Sequence, residues 1–266
     1  MKDRVTIPQL RQMKTRGQKI VMLTCYDYPS ALLLDEAGVD VLLVGDSLGD
    51  NVLGHPDTLP VTLDDMCHHA RAVRRGTRRA MVVVDMPFLS YQVSVEQAML
   101  NAGRLLREAG VDAVKLEGGR RSAPTIARLV EAGIPVMGHI GLTPQSVRSL
   151  GGYRVQGRTD GAVQALLEDA SALVDAGAFA IVLELVASGA AERLTREVTV
   201  PTIGIGSGPH CDGQVQVLHD LAGLFPERAF KHARRYAEIG AALREAAERY
   251  ATDVRGGGFP GDENSY

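Results

Sequence analysis

Val39-Asp40-Val41-Leu42-Leu43-Val44-Gly45-Asp46-Ser47 is the stretch that decides the fold. An apolar run stops at a glycine, and a carboxylate and a hydroxyl follow at once. A strand buried on both faces of a parallel sheet has this pattern, delivering polar groups at its C-terminal end. The pattern recurs in altered form. Met81-Val82-Val83-Val84 stops on Asp85, Val111 to Leu116 stops on Glu117, Ile134 to Gly138 stops on His139, and Ala180 to Leu183 stops on Glu184. In a (β/α)8 barrel all such strand ends share one face, where active sites sit.

Between these runs lie helices closed by glycine. Ala37-Gly38, Arg75-Gly76, Ala109-Gly110, Ala132-Gly133 and Ala176-Gly177 mark the beat, and each is read as a C-cap with positive φ. Regular βα alternation favours a parallel sheet, and eight strand candidates favour closure into a TIM barrel. A helix over 6–13 precedes the first strand. The eighth strand is expected at 214–219, and a long terminal helix at 231–250. Residues 1–266 read as one barrel domain, with 255–266 a mobile, glycine-rich tail. The loop over 51–62 would lie across the barrel mouth, where loops commonly carry function.

Composition excludes several classes. With 266 residues, the chain has the length of one α/β barrel. A net charge of −3 gives no basic surface for nucleic acid. No apolar run approaches the roughly 18 residues of a membrane span, and the first residues lack the apolar core of a secretory signal. The cysteines, Cys25, Cys67 and Cys211, are unpatterned, which fits a reducing, cytoplasmic compartment better than a disulfide framework or zinc cluster.

The strand-end residues form the candidate site. Asp46 and Asp85, on neighbouring strands, can share a hard cation such as magnesium, and Glu117 can bind it directly or hold one of its waters. Each acid taken alone could equally be a helix cap or turn residue. Lys115 lies two residues before Glu117 and so faces the same way, into the barrel. It could neutralise a substrate carboxylate, form a Schiff base, or simply pair with Glu117 or Asp85. Glu184 follows a purely apolar run, so either a raised pKa suits it to general-base work or backbone amides hold it. His139 could be a metal neighbour, a hydrogen-bond donor or a core histidine. Ser47 could offer its hydroxyl and amide to an anion, or cap a turn. Gly204-Ile205-Gly206-Ser207-Gly208 resembles an anion-binding nest, with a tight turn as the alternative.

Longer motifs sharpen this reading. Leu23-Thr24-Cys25-Tyr26-Asp27, Val44-Gly45-Asp46-Ser47-Leu48-Gly49, Val84-Asp85-Met86-Pro87-Phe88, Val114-Lys115-Leu116-Glu117-Gly118-Gly119 and Gly138-His139-Ile140-Gly141-Leu142-Thr143-Pro144-Gln145 closely resemble the ketopantoate hydroxymethyltransferase family. So do Asp57 to Thr62 and Gly151 to Gly157, and the resemblance extends over about residues 6–259. It implies a barrel of the phosphoenolpyruvate mutase and isocitrate lyase superfamily. The implied substrates are 3-methyl-2-oxobutanoate and 5,10-methylenetetrahydrofolate, and the implied product is 2-dehydropantoate, on the route to pantothenate and coenzyme A. It also implies magnesium on Asp46 and Asp85 with Glu117 assisting, and oxo-acid contacts from Ser47 and Lys115; Asp46, Asp85 and His139 are expected to bind substrate beside them. Glu184 maps onto the base that removes the C3 proton, giving a magnesium-stabilised enolate. The implied assembly is a homo-oligomer, a decamer of two stacked pentameric rings.

Overall fold

The even spacing of apolar side chains along each strand sets up the barrel interior. The computed structural model describes residues 4–266. Eight parallel strands run β1 (Ile20–Thr24), β2 (Val41–Val44), β3 (Met81–Asp85), β4 (Ala113–Glu117), β5 (Val136–Gly141), β6 (Ala180–Glu184), β7 (Thr202–Ile205) and β8 (Gly213–Gln216). They pair in chain order, and β8 closes on β1. The inward residues alternate, as strand geometry requires. Met22, Val41, Leu43, Met81, Val83, Ala113, Met137, Ala180, Val182, Ile203 and Val215 form one buried apolar cluster. Helix α1 (Ile7–Thr15) adds Leu10 and Met13 to that cluster.

The outer helices are α2 (Tyr28–Glu36), α3 (Leu48–Asn51), α4 (Leu63–Gly76), α5 (Val95–Ala109), α6 (Ala123–Glu131), α7 (Asp160–Asp175) and α8 (Ser188–Glu197). Their starts are chemically specified. Asp27 caps α2 through Ser30 N–H, and Thr62 and Asp65 cap each other's amides at α4. Ser94 and Thr159 cap α5 and α7.

One of the five expected glycine caps has a different cause. Gly110 does take the left-handed conformation after α5, with φ of 68°. Gly76 is instead the last helical residue of α4. A Cβ there would meet Tyr28 O at 2.6 Å and Ala31 Cβ at 2.7 Å. Glycine at 76 lets α4 lie close against α2, and no positive φ is involved.

The chain divides into two compact units, residues 1–216 with the whole barrel and residues 217–266. The second unit departs from the expected elements. Strand β8 stops at Gln216, and His219 falls in a short helix, α9 (Leu218–Ala222). The long helix, α10, spans Ile239–Gly256 rather than 231–250. The cause lies in residues 231–238. Tyr236 N–H donates to the Leu221 carbonyl, and the Arg235 guanidinium reaches the carbonyls of Phe225, Pro226 and Arg228. Those bonds hold this segment in an irregular path that helix formation would break. The expected tail is likewise shortened, because α10 extends to Gly256 and a 3-10 turn forms at Asp262–Asn264.

Candidate active site

The barrel register brings the strand-end side chains together. Asp85 of β3 lies opposite Lys115 of β4, Glu117 opposite His139 of β5, and Gly141 opposite Glu184 of β6. Each continues the inward face of its strand, one or two pleats beyond the apolar cluster. The site therefore caps the core, inside the first unit.

Lys115 is its only buried ammonium among the described residues. Its Nζ lies 3.0 Å from Asp85 Oδ1 and 3.1 Å from His139 Nδ1. Burial alone would depress the Lys115 pKa, but Asp85, Glu117 and Asp46 outweigh it and hold the group above the ordinary lysine range. An ammonium group only donates, so His139 Nδ1 accepts and the ring hydrogen sits on Nε2. That nitrogen is 3.3 Å from Glu184 Oε2, while Nδ1 is 3.6 Å from Glu117 Oε1. Burial, with the Lys115 charge beside it, pushes the His139 pKa well down, so the ring is neutral.

Four carboxylates thus gather around one cation. Burial first, then repulsion from Asp85, raises the Asp46 pKa to about 7. Glu117 is raised well above its ordinary value by burial and by Asp46. These acids carry more negative charge than Lys115 neutralises. Asp46 N–H donates to Asp85 Oδ2 at 3.0 Å. Of the buried carboxylate oxygens, Glu117 Oε1 accepts no hydrogen bond, and Asp85 Oδ1 has only its ion pair with Lys115. Among the described residues, no three His, Cys, Asp or Glu side chains converge tightly enough to make a finished metal shell.

Ser47 is the residue just before α3, yet its hydroxyl does not cap that helix. It lies 2.9 Å from the Tyr26 hydroxyl. Gly45 leaves room for it, since a Cβ there would meet Ser47 Oγ at 2.8 Å. Glu184 keeps 18% of its side chain exposed, against 2–5% for Lys115, Asp85, Glu117 and His139. It is the acid of this group that a ligand entering from solvent reaches most readily, and it does not stand in the isolation that its apolar run suggested.

Gly204 and Ile205 close β7, and Gly206 and Ser207 form a bend after it. Ser207 Oγ donates to the Leu183 carbonyl at 2.7 Å and accepts Val186 N–H at 3.0 Å. It thereby brackets Leu185, whose φ is 46°, and fixes the chain after Glu184. Gln145 and Tyr91 are the participants that strand-end reasoning missed. Gln145 follows the 3-10 turn Pro144–Ser146 from within, and its side chain reaches Asp46 Oδ2 at 2.8 Å. Tyr91 lies between β3 and α5, and its hydroxyl accepts Glu117 N–H at 3.1 Å. Both are polar residues in loops with no periodic pattern to announce them. The Gly138-to-Gln145 motif was the available signal for the first.

Similarity to known proteins agrees with this arrangement. The ketopantoate hydroxymethyltransferase family model matches residues 4–262. The chain belongs to that family. The 3-methyl-2-oxobutanoate hydroxymethyltransferase of Chloroflexus aurantiacus is 58% identical over 98% of this chain and 92% of its own length. That of Carboxydothermus hydrogenoformans is 56% identical over 99% and 96%. Among solved structures, a putative phosphonomutase from Burkholderia cenocepacia superposes with a TM-score of 0.63 at 16% identity, covering 94% of this chain and 98% of that one. A 2,3-dimethylmalate lyase of the PEP mutase/isocitrate lyase superfamily gives 0.59 at 18%, covering 98% and 91%. These two likenesses concern the fold.

Proposed function

We propose that this chain transfers a hydroxymethyl group from 5,10-methylenetetrahydrofolate to 3-methyl-2-oxobutanoate, giving 2-dehydropantoate and tetrahydrofolate. Identity of 56–58% to hydroxymethyltransferases over nearly the full chain carries the reading. The strand-end cluster supplies groups suited to it.

The donor set fits magnesium. Asp46 and Asp85 would hold the ion, with Glu117 assisting directly or through water. Hard carboxylate oxygens are the ligands magnesium takes. The unbonded Glu117 Oε1, and the raised pKa of Asp46, are what a crowded acidic site shows when a cation would relieve it. Bound there, magnesium would supply Lewis acidity toward the 2-oxo acid, making its C3 proton easier to remove.

The protein's own groups then divide the work. Lys115 and the Ser47 hydroxyl are donors for the oxygens of the oxo acid. Neutral His139 presents Nε2–H 3.3 Å from Glu184, without a hydrogen bond of its own, as a donor free to meet that carboxylate or a ligand oxygen. Glu184 takes the C3 proton, and the electron pair left on C3 forms the bond to the one-carbon unit, whose two C–N bonds to the folate break. Water supplies the hydroxyl group, and its other proton and the one taken by Glu184 end on the two folate nitrogens as tetrahydrofolate leaves. With Lys115 fixed between Asp85 and His139, a Schiff base through Nζ is not required.

The same proposal includes a homo-oligomer, a decamer by family resemblance. The row Ile239, Leu243, Tyr250 and Val254 along α10 is exposed in the single chain, which supports self-association. Light scattering of the purified protein tests it, and a fully active stable monomer would contradict it. No helix among the described residues is long and apolar enough to cross a membrane. The three cysteines are buried and unpaired, which supports the cytoplasmic assignment.

The activity is tested by incubating protein, magnesium, oxo acid and 5,10-methylenetetrahydrofolate, then measuring 2-dehydropantoate and tetrahydrofolate. Equal amounts of both are expected. Turnover of the oxo acid without folate consumption would instead point to a lyase of the same fold.

A further inference from the structure

Gln145 uses every hydrogen-bonding position of its side chain. Its Nε2 donates to Asp46 Oδ2 at 2.8 Å and to the Met86 carbonyl at 3.0 Å. Its Oε1 accepts from the Tyr91 hydroxyl at 2.9 Å and from Gln92 Nε2 at 3.0 Å. A carboxamide offers two donors and two acceptor lone pairs, so nothing is left over. Its backbone N–H also donates to Glu117 Oε2 at 3.1 Å. Tyr91 is tied to the same place: its hydroxyl accepts Glu117 N–H, and its one proton faces Gln145 Oε1 at 2.9 Å and the Glu117 carbonyl at 3.2 Å, the first being the shorter contact.

Two consequences follow from this connectivity. The donors converging on Oε1 decide which end of the amide faces Asp46. With the amide reversed, an oxygen would stand against a carboxylate. In addition, one residue grips one oxygen of Asp46 and one oxygen of Glu117, from two different strand ends. The second oxygen of Glu117 remains without a hydrogen bond.

We propose that Gln145, oriented by Tyr91, is a positioning residue for the cation-binding carboxylates. It ties back one oxygen of Asp46 and of Glu117, so that the remaining oxygens present a fixed geometry to magnesium. The assignment rests on the metal role proposed for Asp46 and Glu117. Outer partners of metal ligands typically change metal affinity tenfold to a hundredfold when removed. Burial of the whole network makes each bond count, because a broken partner is left without water.

The test is magnesium affinity in the presence of 3-methyl-2-oxobutanoate, measured calorimetrically on the full chain. The variants are Gln145→Met, Tyr91→Phe and the double variant, each with a thermal midpoint. Gln145→Met keeps length and the backbone N–H bond to Glu117 but loses the side-chain hydrogen bonds, the one to Asp46 included, and should weaken magnesium roughly tenfold to a hundredfold in folded protein. Tyr91→Phe should give a smaller loss in the same direction. The double variant should be close to Gln145→Met alone, because Tyr91 acts through the amide. A purely structural role would lower the midpoint and leave magnesium affinity unmoved, which would overturn the proposal. Full addition of the two single effects would overturn it too. Should Gln145→Met not fold, Tyr91→Phe decides, and unchanged affinity there counts against the proposal. Absence of magnesium-coupled binding in the unaltered protein would remove the metal reading itself, and this inference with it.

Discussion

Met81, Val83 and Asp85 share one face of β3, and Ala113, Lys115 and Glu117 share one face of β4. The first members of each row are packing, and the last are chemistry. The lower barrel interior is apolar and satisfied. The upper interior holds four carboxylates, one ammonium and a neutral imidazole, all buried except the partly exposed Glu184. Two pleats of one strand thus separate groups that stabilise the fold from groups whose mutual repulsion a ligand must relieve. Function has been placed where it costs stability, above a core able to carry that cost.

Substitutions should separate the two layers. Glu184→Gln, in the upper layer, should lower turnover by roughly a hundredfold to ten-thousandfold, as expected on losing a general base. Its thermal midpoint and oxo-acid affinity should change little, since the amide is nearly isosteric. Steady-state kinetics beside a melting curve checks both. Lys115→Met should affect both properties. Removing one partner of a buried ion pair costs about 3–5 kcal/mol, read from denaturant unfolding, and magnesium should restore part of the loss. Met81→Ala belongs to the lower layer. It should cost about 2–5 kcal/mol through a cavity, with kcat of the folded protein unchanged. A fall in kcat there would mean that the layers are mechanically coupled.

The smallest expected effect is on pH dependence without metal. Asp46 would ionise near 4 in the unfolded chain and near 7 in the folded one. Across that window the folded state binds more protons, so stability falls as pH rises. Glu117 is shifted in the same direction. Saturating magnesium, which takes the ionised form, should flatten or reverse this slope in thermal melts between pH 4 and 7.

The same contrast explains what could be read from the chain alone. Asp46, Asp85, Glu117, His139 and Glu184 were legible because each ends an apolar run, and strand ends in a barrel converge by topology. Lys115 was legible from its two-residue spacing to Glu117. Its partner was legible only as one of two, Glu117 or Asp85; register chooses Asp85 and adds His139. Gln145 and Tyr91 sit in loops, and their roles arise from a tertiary return that no local period encodes. The glycines at 204–208 look alike whether they cradle an anion or shape the chain, and nothing local announces the bonds by which Ser207 fixes the segment after Glu184. Gly76 shows the same limit. A glycine after a helical run suggests a cap, while the requirement here is the nearness of α2. Beyond Gln216, the misplaced helix start reflects side-chain bonds of Arg235 that override favourable composition.

The central claim is that the strand-end cluster, with magnesium, removes the C3 proton of the oxo acid before any one-carbon chemistry. Deuterium exchange at C3 of 3-methyl-2-oxobutanoate in heavy water, followed by proton NMR without folate, isolates that step. Magnesium-dependent exchange is expected from the unaltered protein, together with its loss in a folded Glu184→Gln variant. Near-normal exchange in that variant would contradict the assignment of Glu184. Absence of exchange from the unaltered protein with magnesium would contradict proton removal as an independent first step.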